Sequence, residues 1–412
     1  MIKNLKFKIV KTLFITGTFL FFISLLIPEN LRNIPIFIFI FIIFILFINF
    51  KIKTTAFHKI TIYNTLYFVI TAISLFYTDN IDYGLKRIMT MSAILIVPLC
   101  FYLVSNMEII RYDKFLKYFF TCFFISSILF FIGVLIKNNF DGYLNETIFI
   151  HTPERLNAGY GRYSIHPIYA SIYLSISIIF SIPIYKKLNN KVSKIGLILG
   201  ALFLIMTLIV LARKGPIIIT FLLLLAYLFT SKKKSRNIFF FGLATIIFSI
   251  IAYNIPSIKN RFIELFEVLI QKKSVDFGST EIRLNIIGCS IDAIKNAPFF
   301  GYGVGGAESV LQVCYEKKTM IFKGEYYNSH NQFISAWLSS GILGIASLIG
   351  LFIFNFKNAI KSKDFIHISI LTLFLFMMLI ENILERQNGV IIFSFFINFF
   401  AFKNISETSD EL

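Results

Sequence analysis

A small set of ionisable side chains stands at the edges of long apolar runs in this sequence. They are Arg162 and His166 in "GYGRYSIHPIYAS", Arg213 and Lys214 in "VLARKGPII", Arg283 in "STEIRLNII", His330 with Asn331 in "NSHNQF", and Glu381, Glu385 and Arg386 in "ENILERQNG". A guanidinium grips phosphate oxygens as a two-pronged fork, so arginines at a membrane edge suit a phosphorylated ligand such as a lipid diphosphate. A neutral histidine that titrates near working pH can take the proton of an attacking hydroxyl. Arginines that stabilise a departing diphosphate, with a histidine that activates an alcohol, make a glycosyl transfer. The sequence has no D-x-D, no H-E-x-x-H and no cysteine pair at zinc spacing. It also lacks a P-loop. No metal and no cofactor is expected, and the energy would come from the donor itself.

Each residue also has a plainer reading. Arg213 and Lys214 sit in a tight turn and could snorkel to headgroups. Arg283 could be a solvated charge on a loop helix. His330 could start a helix and bond neighbouring backbone. Arg162 and His166 precede Pro167, a good first-turn residue, and Glu381 could simply neutralise an arginine.

The elements that must hold these groups are apolar. Hydrophobic residues make up 57% of the 412 and charged residues 15%, against about a quarter charged in a soluble domain. The apolar residues fall in runs long enough to cross a hydrocarbon core of about 30 Å. Stretches such as "FIFIFIIFILFINF" are apolar on every face, which excludes the alternating strands of a membrane barrel. The fold expected is an all-α polytopic membrane protein, 1–412 forming a single membrane domain of about twelve transmembrane helices. The spans are read at 12–28, 34–50, 59–77, 88–105, 115–136, 166–185, 195–212, 215–230, 237–254, 331–355, 365–382 and 389–402. The first is read as a retained span, since no small-residue cleavage site follows it.

The net charge of +18 does not point to nucleic acid, because the basic residues cluster between apolar runs, where they set topology. With the N-terminus inside, the lysine-rich loops "FKIKTTAFHK", "YKKLNNKVSK", "SKKKSRN" and "FKNAIKSKD" all fall on the cytoplasmic side. Two larger segments then face outside, 138–165 and, between spans nine and ten, 255–330. The candidate groups fall on that same outer side, although they played no part in choosing the orientation. Within the long loop, "RFIELFEVLI" carries Phe262, Leu265, Phe266, Leu269 and Ile270 on one helical face, suited to the membrane surface. "STEIRLNIIGCSIDAIKNAP" reads as a second helix, with Ser279 or Thr280 as N-cap and Pro298 as stop. Cys100 and Cys122 fall in spans as small core residues. Cys289 and Cys314 share the long loop, where an oxidising compartment would let them pair.

At this point the chain resembles the O-antigen ligase and O-antigen polymerase superfamily of bacterial membrane glycosyltransferases. The family's signatures are an arginine after a mid-chain span, an arginine opening a loop helix, a P-x-x-G-x-G turn and an H-N motif at the next span. "ARKGP" supplies Arg213. "STEIRLNIIGCSIDAIKNAPFFGYGVGG" supplies Arg283 and the Gly301/Gly303 turn. "SHNQFISAWLSSGILG" supplies His330 and Asn331. The resemblance runs over roughly residues 150–390. It departs from the family at Ala212, where Ser or Thr is usual, at Lys214, where glycine is usual, and at Ile286 and Ile287, where an aromatic often stands.

The resemblance implies an undecaprenyl-diphosphate-linked glycan as donor, moved without metal or nucleotide to an acceptor hydroxyl on the periplasmic face of the bacterial inner membrane. Arg213 and Arg283 would bind the donor diphosphate and His330 would be the general base. Arg162, His166, Lys214, Asn331 and Glu381 are further candidates for substrate contact, Glu381 also as an arginine's partner. The acceptor would be lipid A-core for a ligase or a lipid-linked glycan for a polymerase. A transporter of glycan or small anions, with the arginines as an entry funnel, is the alternative from another class.

Overall fold

A computed structural model describes residues 34–50, 59–105, 112–145, 147–158, 163–229, 279–297, 299–318 and 327–409, with scattered positions between 12 and 33 and between 242 and 263. Among these every regular element is a helix. In order they are α1 (Ile34–Phe50), α2 (Lys59–Ile73), α3 (Ile81–Met91), α4 (Ala93–Ser105), α5 (Tyr112–Phe140), α6 (Ile148–Ala158), α7 (Pro167–Lys187), α8 (Lys191–Val210) and α9 (Lys214–Phe229). There follow α10 (Ser279–Asn296), α11 (Ala307–Lys318), α12 (Gln332–Lys361), α13 (Phe365–Ile380) and α14 (Gln387–Ser409). Expected spans one and nine, the "RFIELFEVLI" face and Arg162 lie outside the described residues, apart from isolated positions.

Among the described residues, six stretches are long and apolar enough to cross a membrane: Lys59–Tyr77, Ile81–Leu103, Leu116–Phe140, Pro167–Lys187, Lys191–Val210 and Gln332–Lys361. The chain is therefore an all-helical, multi-pass membrane protein, in which each span satisfies its own backbone hydrogen bonds away from water. The other expected spans fall on α1, α9, α13 and α14, or outside the described residues. The fourth expected span starts earlier than its apolar run. It opens at Ile81 and turns at Ser92, so the charged segment "IDYGLKR" is already helical.

The chain forms two compact units, residues 1–53 with 103–261 and residues 54–102 with 262–412. In the first, α7 is buried along most of its length and packs against α5, α6, α8 and α9. Without a hydrophobic gradient between helices, small polar residues supply the adhesion. Ser127 and Ser177 share a 2.5 Å hydrogen bond between α5 and α7. Thr220 donates to Ser175 across α9 and α7 at 2.7 Å, and Asn138 donates to Thr152 across α5 and α6 at 2.6 Å. Between α8 and α9 the chain reverses through Leu211, Ala212 and Arg213, with Ala212 at a φ of 49°.

In the second unit α12 packs against α2, α10, α11, α13 and α14. A buried chain of amides ties three of these helices: Asn355 donates to Asn64 at 2.6 Å and Asn64 to Asn398 at 2.8 Å. The long helix α12 is not continuous. At Ser340 and Gly341 its backbone leaves helical geometry, Gly341 taking a φ of 62° and a ψ of −154°. The break frees backbone groups that must find partners. Tyr302 N–H donates to Leu338 O at 2.7 Å, and Ile342 N–H donates to Phe299 O at 3.2 Å. The glycine-rich turn after α10 thus docks into the break. The approach leaves no room for a side chain at Gly341, where a Cβ would stand 1.9 Å from Phe299 O. Gly301, at a φ of 70°, faces the same constraint, since its Cβ would lie 2.4 Å from Leu338 O.

The two loop helices form a small core with α12. Ile286, Ala293, Leu311, Tyr315 and Leu338 are buried together, and Cys289 is bonded to Cys314 across α10 and α11. The bond closes a loop with a sequence separation of 25, and chain entropy over such a loop is worth about 3 kcal/mol. Replacing both cysteines with serine is expected to lower the unfolding temperature of the purified protein measurably. An unchanged melting curve would show that the apolar core alone holds the two helices. Of the span cysteines, Cys100 is buried and Cys122 half-buried, both as free thiols.

Candidate active site

Three helix ends in the second unit converge on one carboxylate. Arg283 lies in the second turn of α10, His330 stands just before α12, and Glu381 closes α13. The local sequence explains each placement. Asn331 is the N-cap of α12, its Oδ1 accepting from the N–H groups of Phe333 at 2.9 Å and Ile334 at 3.1 Å, a standard use of asparagine. Its amide nitrogen donates to Leu379 O at 3.1 Å, which seats the start of α12 on the end of α13. Glu381 keeps a last helical bond, its N–H donating to Met377 O, and then turns extended. His330 and Glu381 are thereby neighbours despite the residues between them.

The Glu381 carboxylate is shared. One oxygen lies 3.3 Å from an Arg283 terminal nitrogen, the other 3.1 Å from His330 Nδ1. A carboxylate only accepts, so Nδ1 carries the hydrogen of the neutral ring and Nε2 is left as its acceptor. The Glu381 side chain is 16% exposed, His330 25% and Arg283 40%. The carboxylate is thus largely enclosed, while the guanidinium keeps open surface for an anionic ligand. His330 itself holds a φ of 45°, a left-handed backbone uncommon for a residue with a Cβ.

Behind this group lies a second cluster, of which the sequence singled out Glu385 but not Arg87, Tyr83 or Glu308. Arg87 of α3, 8% exposed, sets Nη2 2.5 Å from Glu385 Oε1 and Nη1 3.6 Å from Glu308 of α11. Tyr83 donates to Glu308 at 2.5 Å. Burial and the neighbouring Glu385 raise the Glu308 pKa above the usual carboxylate range, against the pull of Arg87 and Tyr83. Glu385 Oε1 also accepts from Ser335 at 2.6 Å and Asn382 at 2.7 Å, and Oε2 from Asn328 at 2.9 Å. Gln332 locks the same turn by accepting from Leu384 N–H at 2.7 Å. The signal that could have found Arg87 is an arginine and a tyrosine one turn apart just ahead of an apolar run.

The remaining expected site residues belong to the first unit. Arg213 occupies the α8–α9 turn, directly after the left-handed Ala212, and Lys214 opens α9 with Pro216 in its first turn. His166 is the N-cap of α7, its ring Nδ1 accepting from Ile168 N–H at 3.4 Å, with Pro167 as the first helical residue. The first-turn role expected of Pro167 is what the helix displays.

The fold and this cluster define a class: a multi-pass, all-helical membrane protein that carries an arginine, a histidine and a shared carboxylate where its helices end. A family model described as O-antigen ligase matches residues 199–349. The likeness to the O-antigen ligase superfamily is thereby shown over a stretch that holds Arg213, Arg283 and His330. That stretch is O-antigen ligase-like, and the family implies a membrane enzyme of glycosyltransferase-like activity acting on lipid-linked glycans in general. No match was found among curated proteins.

Proposed function

We propose that this protein transfers a glycan from undecaprenyl diphosphate to an acceptor hydroxyl on the periplasmic face of the inner membrane, in the manner of an O-antigen ligase with lipid A-core as acceptor. The observation that carries the reading is the Glu381–His330 contact, which fixes the imidazole with Nε2 as acceptor, beside an arginine that keeps open surface. In the reaction the acceptor oxygen attacks the anomeric carbon and the bond from that carbon to the diphosphate oxygen breaks. The acceptor's proton passes to His330 Nε2, and lipid diphosphate leaves with the electron pair. Arg283 stabilises the charge that grows on the leaving oxygens; Arg213 is the second arginine that the resemblance assigns to the donor diphosphate. Glu381 holds the ring's tautomer and stabilises the imidazolium that forms, the part a buried carboxylate plays beside other histidine bases. Asn331, by capping α12, supports the position of His330, while Lys214, His166 and Arg162 are candidates for contacts further along the substrate.

The test is transfer by purified protein in lipid vesicles, supplied with lipid-diphosphate-linked glycan, a chelator, and either lipid A-core or a second lipid-linked repeat. Glycosylated lipid A-core supports the ligase reading. Polymer growth on the lipid-linked repeat would make the protein a polymerase, and movement of intact donor without bond cleavage would make it a transporter. Within the assay, Arg283→Ala is expected to lower kcat/KM by about 10²–10³, the range for losing one stabiliser of a developing anion. Arg283→Lys should recover only part, because an ammonium is a point charge without the fork. Full recovery with lysine would remove the bidentate argument.

A further inference from the structure

Beyond that reading, and resting on it, we infer that Glu385, charge-balanced from behind by Arg87, is a positioning residue for His330. The left-handed backbone of His330, at a φ of 45°, persists only where the surroundings over-determine it. The bonds that fix it converge on Glu385. The His330 N–H donates to Asn328 Oδ1 at 3.1 Å, and the Asn328 amide donates in turn to Glu385 Oε2 at 2.9 Å. Ser329 is buried, donates to Asn331 O at 2.9 Å, and is paired with Asn382. Asn382 then donates to Glu385 Oε1 at 2.7 Å. Both residues that precede the histidine are therefore tied to one carboxylate, as is Ser335 in the first turn of α12.

Glu385 suits this role because it accepts and does nothing else. Four donors reach it, those of Arg87, Ser335, Asn382 and Asn328. A carboxylate has about four lone-pair sites. Its charge would be costly at 9% exposure without a partner, and Arg87 supplies one at 2.5 Å. The histidine ring turns instead to Glu381. Glu381 thus serves the imidazole and Glu385 serves its backbone. A shift of about 1 Å in a catalytic group can cost about a hundredfold in rate, so the backbone support is read in kcat.

The experiment uses the full chain in lipid vesicles with undecaprenyl-diphosphate-linked glycan and acceptor, comparing wild type with Glu385→Gln, Asn328→Ala, the double variant and His330→Ala. Variants are first checked for monodisperse elution and for an unfolding temperature above that of the assay. Glu385→Gln and Asn328→Ala are each expected to lower kcat roughly ten- to a hundredfold with KM within about twofold. The double variant should be no slower than the slower single one, within about twofold, because both act along one route. Asn328 is only partly buried and outside the ion pair, so Asn328→Ala decides alone should Glu385→Gln not fold. Wild-type kcat in these variants while His330→Ala is impaired would overturn the inference and leave the functional reading standing. So would a raised KM at unchanged kcat, or losses that multiply in the double variant. Wild-type turnover in His330→Ala would overturn both.

Discussion

Replacing His330 with alanine is expected to slow glycan transfer by about 10²–10⁴, the usual contribution of a positioned general base. Donor affinity should hold within a few-fold, because the arginines assigned to the diphosphate are untouched. The residual rate comes from those arginines and from holding the two substrates together, which do not need the imidazole. The size of the effect follows from the geometry. The ring is held 3.1 Å from a carboxylate that is 16% exposed, so its tautomer is fixed before substrate arrives. Glu381→Gln should give a smaller loss in kcat than His330→Ala, since the ring remains but its orientation and its cationic form lose support. Single-turnover transfer with saturating donor separates the two steps. A drop in binding without a drop in the chemical step would make His330 a ligand contact and not the base.

Replacing Arg87 with alanine is expected to be the most damaging single change to stability, at about 3–5 kcal/mol, the cost of leaving a buried charge without its partner. Arg87 is 8% exposed and Glu385 9%, and Glu308 lies on the guanidinium's other side. Without the cation, two carboxylates from different parts of the chain face each other in a poorly solvated site. The cost is in the broken pair more than in the missing arginine, which gives a sharper form of the prediction. Arg87→Met combined with Glu385→Gln should be less destabilising than Arg87→Met alone, because the second change removes the orphaned charge. Unfolding in detergent, followed by heat or denaturant, measures this. Equal or additive losses would mean that Arg87 contributes by packing, not by charge.

How far these features could be read beforehand depended on where the polar residues fell. Arg283, His330 and Glu381 stand where apolar runs begin or end, and such positions are visible in sequence. The pairing of Glu381 with an arginine was legible as one of its two readings. Its pairing with His330 was not, because it depends on Asn331 capping one helix against the carbonyl at the end of another. Arg87 was hidden for the opposite reason. It sits ahead of an apolar run, where a charge reads as a span boundary, yet α3 is already helical there and its arginine is enclosed by Glu308 and Glu385. The break in α12 was hidden too. "SSGILG" reads as small residues for close helix packing, and only the docked turn at Phe299–Tyr302 shows why the helix opens.

The central claim is that lipid diphosphate leaves as an acceptor hydroxyl is glycosylated, with the proton passing to His330. The most direct measurement follows both products in one time course, using protein in vesicles, lipid-diphosphate-linked glycan, acceptor and chelator. The account predicts one lipid diphosphate released per acceptor glycosylated, no release without acceptor, and loss of both signals together in His330→Ala. Release uncoupled from acceptor, or donor crossing the bilayer with its glycan still attached, would contradict it.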